Sequence, residues 1–342
     1  MKKKYAIKDI AAALNVSVTT VSFVLNGKAK EKRISDEVAK KVKNFADSVN
    51  YRPNLLAQSL RTGKSRIIVV MLEDISNPFF AKLARILEDL AFQKNYKVFF
   101  CSNENKDERA IDLIKTFRER RVDGYMIVPS PGIENDIKSF LEEEIPIILF
   151  DRDFPDLKIN YVGIDNEDSV YRATQHLYEK NYKQIAFITI NSPQSQMKNR
   201  FLGYKKAVIN NEKKLLTLEI PYPDTIQEES NNYIAKFLSD NPQIDAIIFA
   251  TNYLSIAGLK VIKEMESNGC KKQLGIITFD DDELFQIYTP TISVIHQPLQ
   301  EMAEAMMNLM FDVLDSEKGK HSIKRRILKT KFIERESTAF KK

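Results

Sequence analysis

Glycine and proline are scarce, at 10 and 12 residues of 342, which excludes a collagenous or low-complexity chain. The two cysteines, Cys101 and Cys270, cannot build a disulfide framework, and neither has a sequence neighbour that would activate it, so a reducing cytoplasm is the natural compartment. The three histidines, His176, His296 and His321, lie far apart without metal-site spacing. No apolar run approaches the roughly 18 residues needed to cross a bilayer, so no membrane partner is expected. The charged start Met1-Lys2-Lys3-Lys4 is not followed by the apolar stretch of a secretory leader. Gly63-Lys64-Ser65 lacks the earlier glycine of a phosphate-binding loop, with Gln58 at that position, and a strand pattern follows it instead of a helix. This inventory offers no catalytic set, and neither an enzyme nor a bound cofactor is expected.

What is present is unevenly placed. The chain carries 52 Lys/Arg against 47 Asp/Glu, a net charge of +5. Residues 1–64 hold 14 basic and 5 acidic side chains, a net of +9, while the remainder holds 38 and 42, a net of −4. Positive charge concentrated in a fifth of the length suggests a polyanion-binding head on a neutral-to-acidic body, a solvated basic tail being the plainer alternative. The length suits two or three domains.

The first 62 residues contain no strand pattern. Ile7, Ile10, Ala11 and Leu14 recur at helical spacing. Asn15-Val16-Ser17 interrupts them, and Ser17 is suited to cap a second helix whose buried stripe is Val21, Val24 and Leu25. The other face of that helix carries Val18, Thr19, Thr20, Ser22, Phe23 and Asn26, and Asn26-Gly27 ends it. Ser35 precedes a third helix with Val38, Val42, Phe45, Ala46 and Val49 at helical spacing, stopped by Tyr51-Arg52-Pro53. Two short helices joined by a tight turn, with a third in support, form a helix-turn-helix. Its second helix can enter the major groove and offer short polar side chains to base edges.

The runs Ile7-Lys8-Asp9-Ile10-Ala11, Val16-Ser17-Val18-Thr19-Thr20-Val21-Ser22 and Leu25-Asn26-Gly27 resemble the head of the lactose-repressor/galactose-repressor (LacI/GalR) family of transcription regulators. Asn50-Tyr51-Arg52-Pro53-Asn54 and Ala57-Gln58-Ser59-Leu60-Arg61-Thr62-Gly63 resemble its linker. Asn77-Pro78-Phe79-Phe80 and Arg120-Arg121-Val122-Asp123-Gly124 resemble its body, so the likeness covers nearly the whole chain. It implies DNA contacts at Ile7, Ser17, Val18, Thr19, Thr20, Ser22, Phe23, Asn26, Arg33, Ser35, Asn54, Ala57, Gln58 and Leu60. Phe23 departs from the pattern, because most members carry arginine there. Phenylalanine cannot read guanine by a bidentate pair; it either touches a thymine methyl or packs against Val24 or the linker.

The segment Pro53–Leu60 reads as a marginal helix, shorter than the roughly 12–15 residues that stand alone in water. By resemblance, two such helices from a homodimer pair in the minor groove and Leu60 wedges between base pairs, the alternative being that Leu60 packs on the body.

From Arg66 the pattern becomes βαβα. Strand candidates are Ile67–Leu72, Val98–Cys101, Gly124–Val128, Ile147–Phe150, Val162–Ile164, Ile185–Ile190, Leu216–Ile220, Ala246–Ala250, Ile276–Phe279 and Ile292–Ile295. Continuous apolar runs mean strands covered on both faces, hence parallel sheets, and so many strands suit two lobes. The expected division is a helix-turn-helix domain at 1–52, a linker at 53–64 and a body at 65–342. Lobe 1 is expected at about 65–163 plus 295–323 and lobe 2 at about 164–294 plus 324–342.

Ligands of parallel open sheets collect beyond the carboxyl ends of strands. Those ends carry Asn77, Ser130, Asp151, Asn252 and Asp280, with Phe79 and Phe80 nearby, a rim suited to a hydroxyl-rich ligand. The resemblance adds a periplasmic-binding-protein-like fold with a small-molecule effector, a sugar or its derivative, held by Asp151, Arg200, Asn252 and Asp280, and with Phe79, Phe80 and Gln297 facing it. Arg200 and Asp280 as a structural ion pair, and Phe79 or Phe80 as core, are the competing readings. Tyr253 stands where the family often has aspartate. The expected function is a sequence-specific regulator, a repressor, binding a pseudo-palindromic double-stranded DNA operator. A sugar-binding receptor of a transport system is the alternative from a different class; it would need a leader and no basic head.

Overall fold

The computed structural model describes residues 5–51, 63–222, 229–269, 272–316 and 322–339. The chain divides into two compact units at Ser65/Arg66, one residue from the expected boundary. The expected linker contacts Asn54, Ala57, Gln58 and Leu60 lie outside the described residues, as do Cys270 and His321.

Among its described residues the first unit is helical: α1 Ile7–Ala13, α2 Val18–Leu25 and α3 Asp36–Ser48. Ile10, Ala11, Val21, Val24, Val42 and Ala46 form its core. Ser17 caps α2, its Oγ accepting from the Thr20 amide at 3.0 Å, and Ser35 caps α3. The end of α2 shows why Asn26-Gly27 is there. The Lys28 amide reaches back to the Phe23 carbonyl at 2.8 Å and the Gly27 amide to Val24 at 3.1 Å, with Gly27 at φ 75°. Such a terminus needs a left-handed residue, which glycine supplies without strain. Asn15 and Asn50, at φ 51° and 47°, close α1 and α3 the same way. The stop of α3 is therefore Asn50, ahead of the proline expected to end it.

The second unit holds two six-stranded sheets among its described residues. The first contains β1 Ile67–Leu72, β2 Lys97–Ser102, β3 Gly124–Ile127, β4 Ile147–Phe150, β5 Asn160–Ile164 and β11 Arg325–Leu328, in the order β11-β5-β4-β3-β1-β2. The second contains β6 Ile185–Asn191, β7 Thr217–Pro221, β8 Ala246–Phe249, β9 Gly275–Phe279, β10 Ser293–His296 and β12 Lys331–Ile333, in the order β12-β10-β9-β8-β6-β7. Every pairing is parallel except that of β10 with β12. Strands β3, β4, β5, β8 and β9 are buried throughout, as expected where helices cover both faces. The helices used below are α4 Pro78–Gln93, α5 Asp107–Glu119, α6 Glu134–Glu142, α7 Asn166–Glu179, α8 Ser195–Asn210, α9 Glu229–Asp240, α10 Asn252–Ser267, α11 Glu283–Ile287 and α12 Leu299–Asp315.

The chain passes between sheets after β5, β10 and β11. This corrects the expected lobe limits. Strand β10 stays in lobe 2, paired with β9, and β11 belongs to lobe 1, paired with β5. The lobe 1 return is thus α12 plus β11. The cause is the sequence of β11: Arg325-Arg326-Ile327-Leu328 is a largely exposed edge strand without an apolar run.

Candidate functional site

Each unit carries a candidate site. In the head, Val18 is 40% exposed, Thr19 is exposed, and Thr20, Ser22 and Phe23 are half-buried. Several expected contacts already serve the local fold. Ser17 Oγ bonds Thr20, the Asn26 amide donates to the Ser22 carbonyl at 2.7 Å, and Ser35 caps α3. Ile7 is half-buried and packs against the head core. Arg33 is exposed, as are Lys8, Lys28, Lys30, Lys32, Lys40, Lys41 and Lys43. Lys32 Nζ lies 5.5 Å from the Phe23 ring centroid, so this side chain sits under a cation beside the exposed face of α2.

In the body, polar side chains from the carboxyl ends of both sheets meet in a cleft. Eight of the nine expected effector residues line it: Asn77, Phe79, Phe80, Asp151, Arg200, Asn252, Asp280 and Gln297. Ser130 does not. It is fully buried beyond β3 and is not among the residues that line this cleft. Phe79 and Phe80 are both core and lining, being nearly buried with their rings edge to face at 4.9 Å.

Asp151 and Asp280 each stand one residue past a strand, β4 and β9, and each is left-handed, at φ 64° and 67°. That conformation costs a non-glycine residue roughly 1–3 kcal/mol, and it turns the chain sharply at the cleft. Arg200 is buried. Its Nε donates to Asn166 Oδ1 at 2.8 Å and its Nη1 to the Ala250 carbonyl at 2.6 Å, with the guanidinium 3.6 Å from the Phe279 centroid. Burial lowers its pKa, and the charges of Asp151 and Asp280 oppose that shift. These contacts fix the guanidinium plane without a direct ion pair to Asp280. Burial also pushes the Asp280 carboxyl up to about 6, against the pull of Arg200 and the hydrogen bond from Gln297 at 2.7 Å.

The strand-end rule finds more than was singled out. Glu73, the first residue after β1, pairs with buried Arg152, which also bonds Asp151 at 3.3 Å and Asn105 at 3.0 Å. Burial disfavours the Arg152 charge, but Glu73 and Asp151 outweigh it and its pKa is raised. Tyr222, after β7, donates to Glu73 at 3.1 Å, and Gln194, after β6, to Asn105 at 2.5 Å. Tyr253 lines the same corner, its pKa raised by burial and by Glu73. Glu73 and Tyr222 follow their strands as directly as Asp151 does, so position alone could have marked them, whereas Gln194 lies three residues past β6.

Bonds also cross between the lobes. Asn252 Nδ2 donates to Asn77 Oδ1 at 2.8 Å, the Asp153 amide to Ser195 Oγ at 3.1 Å and Lys82 Nζ to the Asp281 carbonyl at 3.1 Å. The arrangement can enclose a small hydroxylated molecule between two carboxylates, a fixed guanidinium, amides and two aromatic rings.

Residues 65–336 match the family model described as periplasmic binding proteins and sugar binding domain of LacI family, and residues 6–54 match that of bacterial regulatory proteins, lacI family. The chain is 32% identical to the HTH-type transcriptional regulator KdgR of Bacillus subtilis over 329 residues, covering 93% of this chain and 95% of that protein. It is 31% identical over 340 residues to the NTD biosynthesis operon regulator NtdR of the same organism, covering 97% and 99%. Among solved structures, the lac repressor dimer bound to operator superposes with a TM-score of 0.83 at 18% identity, covering 98% of this chain and all of that one. A LacI family regulator of Enterococcus faecium with bound ribose does so at 0.70 and 23% identity, covering 81% of this chain. At those identities the structural matches speak for the fold.

Proposed function

The chain belongs to the LacI family of bacterial regulatory proteins, and from that premise we propose that it is a repressor whose operator affinity is set by a sugar-type effector held between the lobes of its body. The observation that carries the effector reading is the convergence of Asp151, Arg200, Asn252 and Asp280 on one cleft. Carboxylates and amides accept from pairs of hydroxyls, the Arg200 fork donates, and Phe79 and Phe80 cover C–H faces. KdgR, NtdR and the ribose-bound regulator are relatives or neighbours whose names fit the same class of control.

Val18 and Thr19 at the start of α2 reach base edges, and the exposed lysines of the head hold phosphates. The protein works in the cytoplasm as a homodimer, which places two heads on a pseudo-palindromic operator. Effector in the cleft biases the closure of the lobes, and with it the pairing of the two linker segments on DNA. Such coupling is worth about 1–3 kcal/mol.

The test is titration of full-length protein with a panel of sugars by thermal shift, followed by operator binding with and without the ligand found. A ligand that binds only the folded state raises its melting temperature. If no sugar stabilises the protein, or if Asp280→Asn and Arg200→Lys leave binding of the stabilising sugar unchanged, the reading is wrong. Removing residues 1–62 separates the roles, since ligand binding should persist while DNA binding is lost.

A further inference from the structure

The rim opens on two chambers. The central one lies between Asp151, Arg200 and Asn252. A second is lined by Lys82 of α4, Asp281 and Asp282 beyond β9, Gln286 of α11, His296 of β10 and Leu299 of α12. Phe79, Asn252, Asp280 and Gln297 line both, so the chambers share one wall. The second is the roomier, about 240 Å³ against about 40 Å³ for the central one, so an occupant of the central chamber has room to extend past Gln297 and Asp280.

The unmet hydrogen-bonding capacity of these walls is of one kind. Gln297 is 3% exposed; its Nε2 donates to Asp280 and its Oε1 has no partner among the described residues. Gln196, also 3% exposed, leaves its Oε1 unmatched in the central chamber. Asp281 Oδ1 is unmatched in the second, although Oδ2 accepts from Arg335 at 2.8 Å. All three atoms are acceptors. A buried acceptor left empty costs roughly 1–3 kcal/mol, so a fitting occupant brings donors.

The charges select further. Asp280, Asp281 and Asp282 face the second chamber against Lys82, whose ammonium is engaged by the Asp281 carbonyl. Burial lowers the His296 pKa, against the pull of Asp281, which disfavours a cationic ring there. Arg335, packed behind, is held by Asp281 and the Ile292 carbonyl. A carboxylate or phosphate entering the chamber would meet like charge.

Building on the reading of the cleft as a sugar-type effector site, we propose that the chamber at Lys82, Asp281, Gln286 and His296 is a second subsite, and that the effector is a neutral, hydroxyl-rich molecule of two linked parts, a disaccharide or glycoside, lying across Gln297 and Asp280. One part sits at Arg200 and Asn252. The other donates hydroxyls to Gln297 Oε1 and Asp281 Oδ1.

Full-length protein is titrated calorimetrically with single-unit probes (glucose, galactose, ribose, gluconate, glucose 6-phosphate) and two-unit probes (cellobiose, maltose, lactose, melibiose, sucrose). The expected result is a two-unit probe that binds at least tenfold tighter than either of its component sugars. Gln286 is exposed, so Gln286→Trp can narrow the chamber without disturbing the core, and Lys82→Met removes the ammonium while keeping the stem. Both variants should weaken the two-unit probe at least tenfold more than its component sugar. A tightest probe that is a single neutral ring or an anion overturns the proposal and leaves the sugar-sensing reading standing. So does an equal effect of Gln286→Trp on both probe sizes. Binding of no probe at all removes the sugar-sensing reading, and this inference with it.

Discussion

Asn252, the first residue of α10 in lobe 2, donates to the side-chain oxygen of Asn77, the cap of α4 in lobe 1, at 2.8 Å, and Asn77 donates back at 3.4 Å. The same two oxygens also accept from the first amides of their own helices, Asn77 Oδ1 from Phe79 at 3.0 Å and Asn252 Oδ1 from Tyr253 at 2.8 Å. The pair therefore joins two helix N-termini across the cleft, so lobe closure and the capping of α4 share one side chain, while Thr251 caps α10.

Replacing Asn252 with alanine removes the cross-lobe bond and the bond from the Tyr253 amide, while Thr251 still caps α10. The cost should be about 1–2 kcal/mol, which lowers the melting temperature by a few degrees for a unit of this size. Small-angle scattering of the body should show a more open pair of lobes. A variant as stable and as closed as the parent would mean that Asn77 and Asn252 do not hold the lobes.

Asp280 predicts a pH dependence with a definite sign. Its folded pKa, about 6, is raised above the ordinary carboxylate value by burial. The folded state therefore holds the proton more tightly than the unfolded chain. Its contribution to stability is present below the unfolded pKa of about 4 and is lost as pH rises through 6. Asp280→Asn keeps a side-chain oxygen for Gln297 and removes the titration. Denaturant midpoints of parent and variant should diverge between pH 4 and 7, with the variant gaining relative stability at the higher end. Parallel curves over that range would contradict the account.

Gly203 answers to geometry. A Cβ there would lie 2.1 Å from the Glu167 carbonyl, because α8 meets the backbone of α7 at that residue. Backbone cannot swing aside, so Gly203→Ala should separate the helices and destabilise by about 1–3 kcal/mol, read as a shift in urea midpoint. A neutral substitution would show that α7 and α8 can move apart without cost.

Much of this architecture was legible because buried strands and capped helices write strong local patterns. The Ser17 and Ser35 caps, the Asn26-Gly27 stop and the continuous apolar runs from Ile67 to Phe279 each correspond to one physical requirement. The misses share a cause in context. Strand β11 is polar and exposed, and only its partner β5 makes it a strand. Ser130 comes after a strand end, yet it is fully buried and does not line the cleft, which depends on packing that strand position does not encode. Tyr253 reads as a departure from the family pattern, and the structure gives it neighbours, Glu73, Arg152 and Tyr222, drawn from three distant segments.

Phe23 should set the preference at one base pair. Its half-buried ring under Lys32 beside the exposed face of α2 offers no donor or acceptor. Binding-site selection with Phe23→Arg protein should shift one position of the half-site toward guanine, a change worth about 1–3 kcal/mol of discrimination. An unchanged consensus would mean that residue 23 does not face a base.

The split of charge predicts two salt responses. Operator affinity should fall steeply with ionic strength, by a log–log slope of about −0.9 for each phosphate neutralised, because residues 1–64 hold 14 basic against 5 acidic side chains. Effector binding relies on short-range bonds inside a closed cleft and should barely change from 50 to 300 mM salt, a range chosen to span roughly a twofold change in Debye length. Equal salt sensitivity of the two would contradict a division of labour between head and body.

The central claim is that occupancy of the cleft and affinity for operator are one coupled equilibrium. The direct measurement is effector affinity with and without saturating operator, paired with operator affinity with and without saturating effector. The account predicts a change of about 5- to 150-fold, the same factor in both directions. Effector affinity identical on and off the operator would contradict it.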